Sequence, residues 1–557
     1  MDEIIEKYAL KNAVEHDGRA EAKAIFSKVV QEEPSVRESV AFAMKRIQEI
    51  VDQVNRLDIS SQKVRLLKID PHILDKKEVS KKELKLPNVK GNVTMRYAPN
   101  PNASMHIGNA RVAILNDYFV QKYGGTFILR YDDTDPKNEN KRPVKEAYTQ
   151  LQKDLDWLRV YVHKESRASA RLDRYYHVMA GLLKKNRAYV CTCDAAEWRE
   201  RRGAGVACPC RMQSIYENER KWSLMLSAEL KEGHAVVRIK TDMKYKDPAQ
   251  RDWVAFRIID KPNHAMTKNK FTVWPLLDFA SAIDDHDFGV THILRGQDLA
   301  ISTLRQKWVY TYLGWDYPTT ITLGHMGFVG PGTFSKSLIR EGIEKGIYTG
   351  WDDPQLPMIA SYERRGFHPN AIRKLIIDAG VTGGKISLSE EMLAAHDKDL
   401  IDSETKRYFF VKDQTRAKVE GLEDISEVTI QNHPTNEALG SRKVNVASTL
   451  YLNREDLANI KKSKKTRLMN IGNVVKKDAK TLAIKGDISV LHNLQKIQWV
   501  NHEGKKCVVL MADGTTIEGI AELAAAKEKI GTTLQFVRFG FVRLDKKTPL
   551  TFVYAHN

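Results

Sequence analysis

The stretch Arg96-Tyr-Ala-Pro-Asn-Pro-Asn-Ala-Ser-Met-His-Ile-Gly-Asn-Ala-Arg111 decides how this chain is read. A strand over Val93 to Ala98 runs into prolines that cannot continue it, and a helix is expected from Ile107 to Lys122. Gly124-Gly125 stops that helix, and Thr126 to Tyr131 reads as a second strand. Strand, helix, strand at this spacing is a βαβ unit, which implies a parallel sheet with a right-handed crossover. His106 and Gly108 fall where the helix begins. A helix start presents unpaired N–H groups and the positive end of a dipole, so it suits a phosphate.

A second phosphate-type element, Gly332-Thr-Phe-Ser-Lys-Ser337, lies far downstream, just after another β/α stretch at Thr291 to Leu323. Between the two, residues 190–275 carry mixed patterning and most of the cysteines. A nucleotide-binding sheet interrupted by an insertion is the simplest arrangement, with its ligand beyond the carboxyl ends of the strands. Residues 1 to about 60 show apolar positions at helical spacing, such as Ile4, Ile5, Tyr8, Ala9 and Leu10. Residues 61 to 90 are lysine-rich with breaks at Pro71 and Pro87, and are expected to form a linker or basic arm. Residues 346 to about 415 read as helical. Short alternating strands follow, such as Lys506 to Met511 and Thr533 to Arg538, with a hairpin turn at Asp513-Gly514.

The fold class expected is therefore multidomain, α/β plus all-β, with a Rossmann-like parallel sheet. Its divisions are a helical extension and basic linker over 1–88, one half of the sheet domain over 89–189, an insertion over 190–275, the other half over 276–345, a helical connector over 346–418 and a β-barrel region over 419–557.

The chain of 557 residues carries 89 Lys plus Arg against 71 Asp plus Glu, a formal charge of +18. That balance favours a polyanionic partner. No apolar run reaches membrane-spanning length, and the acidic, amphipathic Met1-Asp-Glu-Ile-Ile-Glu-Lys start lacks the features of a signal peptide. Five cysteines, four of them in Cys191-x-Cys193 and Cys208-x-Cys210, suit a reduced cytoplasmic chain better than a disulfide scaffold. The four could close a tetrahedral structural Zn²⁺ site or remain reduced thiols. Cys507 stands alone and reads as a core residue.

The pairing of His106-Ile-Gly-Asn109 with Phe334-Ser-Lys-Ser337 resembles the paired signature of class I aminoacyl-tRNA synthetases. Within that class, several further stretches are similar to glutamate–tRNA ligases of the archaeal and eukaryotic type. They are Tyr131-Asp-Asp-Thr-Asp-Pro136, Ala188-Tyr-Val-Cys-Thr-Cys193, Phe279-Ala-Ser-Ala-Ile-Asp-Asp285, Thr291-His-Ile-Leu-Arg-Gly296, Gly350-Trp-Asp-Asp-Pro354 and Thr466-Arg-Leu-Met-Asn-Ile471. This many motifs in one order is specific. The resemblance implies activation of L-glutamate by ATP and Mg²⁺, transfer to tRNA(Glu), and leaves open tRNA(Gln) as a second acceptor.

The resemblance also implies residue roles. His106 and Lys336 are the expected catalytic residues. ATP falls to His106, Gly108, Asn109, Ser335, Lys336 and Ser337, with Gly332 allowing the second loop to hinge. Glutamate falls to Arg96, Ala98, Asn100, Asp132, Ser281 and Arg295, with Asp132 facing the α-amino group. Arg295 discriminates best, because related glutamine–tRNA ligases carry a non-basic residue there, and a buried guanidinium without its carboxylate would penalise glutamine. The insertion would meet the tRNA acceptor end, with Arg199, Arg201, Arg202 and Arg211 near its cysteines. The β-region would bind the anticodon, with Lys461 to Arg467 either on phosphates or merely solvated. Three positions depart from the family pattern: Asn109 for a common His, Thr333-Phe334 for Lys-Met, and Leu277 for a frequent Tyr. A glutamine–tRNA ligase and an inactive tRNA-binding protein are the rival readings. Arg295 argues against the first, and His106, Asp132, Arg295 and Lys336 together argue against the second.

Overall fold

The computed structural model describes all residues except 17, 34–35, 37–38, 72, 74–82, 331, 334, 462–464 and 486–493. Phe334 of the second phosphate element, the middle of the Lys461–Arg467 run and much of the expected basic arm therefore lie outside the described residues. The chain divides into two compact units, Met1–Glu83 and Leu84–Asn557. No helix among the described residues is long and apolar enough to cross a membrane.

The first unit is helical: α1 (Asp2–Glu15), α2 (Ala22–Glu32), α3 (Val40–Val54) and α4 (Ile59–Ile69). Its core gathers Ile5, Ala9, Leu10, Ile25, Val29, Ile47, Val51 and Leu66. Helix α4 corrects the expectation of a linker from residue 61. The Asp58 carboxylate caps it by accepting from the N–H groups of Ser60 and Ser61, and Leu66 and Gln62 are buried beneath a lysine-bearing outer face. The Gln62 amide donates to the carbonyls of Gly18, Val54 and Leu57, which ties α4 to the turns around it.

The second unit opens with β1 (Val93–Tyr97), α5 (Ile107–Tyr123) and β2 (Gly125–Tyr131), within a residue or so of the sequence reading. Helix α6 (Lys145–Trp157) and β3 (Lys164–Arg167) follow, and β1, β2 and β3 pair in parallel in that order. After the insertion come α10 (Leu277–Asp287), β8 (His292–Gly296), α11 (Ala300–Leu313) and β9 (Thr319–Leu323), with β8 parallel to β9. The two halves meet where the Thr291 N–H donates to the Thr94 carbonyl at 2.9 Å and the Thr291 hydroxyl accepts from Thr94 N. Across the halves the order becomes β3-β2-β1-β8-β9, which reverses direction beside β1, the place where such sheets bind ligands. Strand β1 is buried almost throughout, and Met95, Phe127, Leu129, Ile114 and Phe119 form its core with α5.

The insertion holds α7 (Leu172–Lys184) at its base, then β4 (Ala188–Cys191), α8 (Ala195–Ala204), α9 (Ile215–Leu226), β5 (Val236–Ile239), β6 (Val254–Ile258) and β7 (Val273–Pro275). The four strands pair antiparallel in sequence order. Past β9 come β10 (Met326–Val329) and α12 (Lys336–Glu344). The stretch 346–418 is helical only in part. Ile359–Arg365, Pro369–Ala379 and Glu390–Ile401 are helices, but Ile386–Ser389 is a strand parallel to β10, and Arg407–Tyr408, Phe410–Lys412 and Gln414–Glu420 already belong to the sheets beyond. Those sheets, of seven and six strands, are mostly antiparallel and curled, with separate cores around Phe410, Phe536 and Phe552 and around Leu450, Leu482 and Trp499. The expected hairpin at Asp513-Gly514 joins Lys505–Leu510 to Thr516–Ala521.

Candidate active site and metal centre

A cavity of about 830 Å³ opens at the carboxyl ends of β1 and β8. Of the twelve residues expected to bind ATP or glutamate, ten line it: Arg96, Ala98, Asn100, His106, Gly108, Asn109, Asp132, Ser281, Arg295 and Lys336. Ser335 and Ser337 are not among its lining residues.

At one end lies the start of α5. His106 is its N-cap, and the imidazole Nδ1 accepts from the Asn109 N–H at 3.3 Å. That bond places the ring proton on Nε2. Burial, helped by the nearby Lys336 charge, lowers the His106 pKa to about 4, so the ring is neutral at pH 7. The first turn is less open than its sequence suggests. The Ile107 N–H already donates to Pro357 O and the Asn109 N–H to His106, which leaves Gly108 as the N–H of that turn nearest a ligand role. Gly108 has a steric reason too: a Cβ there would sit 2.9 Å from the His106 ring.

Lys336 opens α12 and reaches the same end, donating to Asn102 Oδ1 at 3.1 Å. Asn102 is held by its own bond to Asn140 O, and its carbonyl accepts from Arg340. Burial and the Arg340 charge lower the Lys336 pKa to about 8. Ser335 is the cap of α12, accepting from Leu338 N, and its hydroxyl lies 3.0 Å from that of Ser337. Both serines shape the helix start that presents Lys336. Gly332 adopts φ +74°, and a Cβ there would come within 2.2 Å of the Gln355 carbonyl, so close packing as well as conformation requires glycine.

The other end is built for charge. Arg295 from β8 is 5 % exposed. Its Nη atoms donate to Thr303 Oγ1 at 3.0 Å and Gln306 Oε1 at 2.9 Å, and its buried Nε finds no partner among the described residues. Burial lowers its pKa. Arg96, by contrast, is already paired with Asp285 at 2.9 Å, so Arg295 offers the less compensated guanidinium. Asp132 follows β2 and accepts from Arg130 at 3.2 Å. Its pKa is raised, chiefly by burial, which an incoming ammonium would offset. The Asn100 side-chain oxygen is buried without a partner among the described residues, an acceptor left for a ligand. Ser281 is occupied: its hydroxyl donates to Leu277 O and accepts from Gln306.

Several residues that shape this end were not picked out from the sequence. Arg130 is fully buried, and its Nε pairs with Asp284, which also accepts from Tyr175 and Arg171. An arginine inside the apolar run Thr126 to Tyr131 was the available signal. Gln306 and Tyr317 carried no comparable mark, and Asp285 stands in the Phe279–Asp285 stretch with no role attached to it. Arg111 lines the cavity and donates to the carbonyls of Gly324 and Gly380, bridging loops far apart in sequence.

The four cysteines converge. Their Sγ atoms all lie within 4.8 Å of one another, with Cys191 3.8 Å from Cys208 and Cys193 3.6 Å from Cys210. Zinc–thiolate bonds near 2.3 Å imply tetrahedral edges of about 3.8 Å, so the donor set fits a closed metal site. Among the nearby arginines, Arg211 is paired with Asp252 and Arg201 with Glu197. Arg202 is crowded by Arg238, Arg305, Arg199 and Arg251; burial and these charges lower its pKa.

A helix start capped by His106 beside Lys336, and a pocket around the buried Arg295, share one cavity at the carboxyl ends of β1 and β8. Comparison with known proteins gives the class. The catalytic domain of class I tRNA synthetases (E and Q) matches residues 92–403, and the anti-codon binding domain of the same class matches residues 405–493. A glutamate–tRNA ligase of Thermococcus onnurineus is 41% identical over 575 residues, and one of Pyrococcus abyssi is 42% identical over 575, each covering 100% of both chains. One of Methanocaldococcus jannaschii is 38% identical over 565 residues, again covering 100% of both. The chain belongs to the class I tRNA synthetases of the E and Q type.

Proposed function

We propose that the protein joins L-glutamate to the 3′ end of tRNA(Glu) at the expense of ATP. The observation that carries this reading is Arg295: a buried guanidinium in the cavity, held only by neutral oxygens and lacking any ion pair among the described residues. A carboxylate is the ligand that completes it, while a neutral amide would leave it uncompensated.

A glutamate α-carboxylate oxygen attacks the α-phosphorus of ATP, and pyrophosphate leaves. The terminal adenosine 2′-hydroxyl then attacks the activated carbonyl, and AMP leaves. No side-chain nucleophile is needed; position and charge do the work. Asp132 would take the ammonium, Arg295 and Arg96 the carboxylate end, with Ala98, Asn100 and Ser281 around them. His106, Gly108 and Asn109 would hold phosphates at the start of α5, and Lys336 would meet the charge that grows on them. Mg²⁺ entering with ATP would share that charge. Ser335 and Ser337 would act through the placement of Lys336. Cys191, Cys193, Cys208 and Cys210 would hold Zn²⁺ as a brace for the insertion, beside which Arg199 and Arg202 would meet acceptor-end phosphates.

The test is charging. Purified tRNA(Glu) and tRNA(Gln) are each incubated with ATP and labelled glutamate or labelled glutamine. Label from glutamate on tRNA(Glu) supports the reading, and the tRNA(Gln) arm decides whether that tRNA is a second acceptor. Attachment of glutamine alone would overturn it.

A further inference from the structure

Arg295 does not aim itself. One of its Nη atoms donates to Gln306 Oε1 at 2.9 Å, and the Gln306 amide is 1 % exposed on α11. That amide has one possible orientation. Its Nε2 donates to Ser281 Oγ at 2.6 Å, Ser281 donates onward to Leu277 O at 2.7 Å, and the Tyr317 hydroxyl donates to Oε1 at 2.6 Å. Turned over, the amide would set its NH₂ group against the Arg295 guanidinium, which can only donate. The network therefore dictates that oxygen faces Arg295.

Neutrality matters as much as orientation. Glutamate would occupy the same volume as Gln306, but it would pair with Arg295 across 2.9 Å of buried space and could no longer donate to Ser281. The pocket would then hold its own carboxylate. With glutamine in place, Arg295 is anchored, buried and still owed a negative charge, and its Nε, without a partner among the described residues, stands in the same condition. We propose that Gln306 is a specificity-determining positioning residue, which aims Arg295 at the substrate and, by being neutral, reserves its charge for a substrate carboxylate. This rests on the glutamate reading above and adds to it the residue that enforces the choice.

The experiment measures charging of tRNA(Glu) with labelled glutamate, using L-glutamine as competitor, for the wild-type chain and for Gln306→Glu, Gln306→Met and Tyr317→Phe. The wild-type arm tests the underlying reading by itself: no glutamate charging would sink that reading before any variant is considered. For Gln306→Glu, KM for glutamate is expected to rise roughly tenfold or more with a smaller change in kcat, the scale of one buried charge-assisted contact. The ratio of glutamine Ki to glutamate KM should fall by a similar factor. Gln306→Met removes the anchor but keeps the pocket charge, so KM should rise while that ratio changes little. Tyr317→Phe loosens the amide without adding charge and should follow Gln306→Met. A purely structural role would lower the ratio equally in Gln306→Glu and Gln306→Met, or leave both KM values within about twofold of wild type. Either result would overturn the proposal. If Gln306→Glu does not fold, an unchanged glutamate KM in Tyr317→Phe overturns the aiming role, and a raised KM with the ratio preserved supports it.

Discussion

Replacing Lys336 by alanine should cripple adenylate formation and spare tRNA binding. The ammonium sits at the end of the cavity where α5 begins, anchored to Asn102 Oδ1 at 3.1 Å on a helix whose first turn is capped by Ser335. Two unit charges about 4 Å apart interact by about 4 kcal/mol at an effective dielectric near 20. Removing one preorganised donor from a developing anion costs about 3–4 kcal/mol in measured systems, or roughly 10²–10³ in rate. The two scales agree, so a loss of roughly a hundredfold or more in kcat is expected. The assay is glutamate-dependent exchange of labelled pyrophosphate into ATP with tRNA present, set beside tRNA affinity from filter binding. Because Lys336 is one of 89 Lys and Arg residues, tRNA affinity should change by less than about twofold. Exchange and tRNA affinity falling by the same factor would refute the phosphate role.

Further outcomes follow from the same cavity. The Lys336 pKa is lowered to about 8, so the ammonium is present below that value and lost as pH rises through it; kcat/KM for ATP should fall on the alkaline side of about 8, and a flat profile to pH 9.5 would argue against a cationic Lys336. His106, with its pKa lowered to about 4, adds no limb between pH 5 and 8. Gly108→Ala should push the His106 ring off its cap, because the added Cβ meets it at 2.9 Å; KM for ATP should rise with little loss of thermal stability, and an unchanged KM would contradict that geometry. Freshly purified protein should carry about one zinc per chain by mass spectrometric metal analysis, and Cys208→Ser should lose it and melt at lower temperature. Protein containing no metal would remove the zinc proposal.

How much of this was legible depends on the distance over which the physics acts. The βαβ unit could be read within a residue or so because its signals are local: an apolar strand, prolines, a capping residue and a glycine stop. Helix α4 was not, because its lysines hid a buried stripe of only two residues, Gln62 and Leu66. The strand Ile386–Ser389 forms only because β10, some sixty residues earlier, offers a parallel edge, and nothing in Ile-Ser-Leu-Ser announces that. The site divides in the same way. Motif residues located the cavity, but the partners that set their charge lie elsewhere in the chain. Asp285 reaches Arg96 across 189 positions, and Gln306 fixes Arg295 from the next helix. Even the helix start at Ile107 looked more open than it is, since Pro357 approaches from far downstream to take one of its N–H groups.

That a single cavity holds both glutamate and ATP can be tested with a non-hydrolysable glutamyl-adenylate analogue. If Arg295 and Asp132 serve one end and His106 and Lys336 the other, the analogue should inhibit charging competitively against glutamate and competitively against ATP. The glutaminyl counterpart should be at least about tenfold weaker, for want of a carboxylate at Arg295. Competition against one substrate alone, or equal potency of the two analogues, would contradict the account.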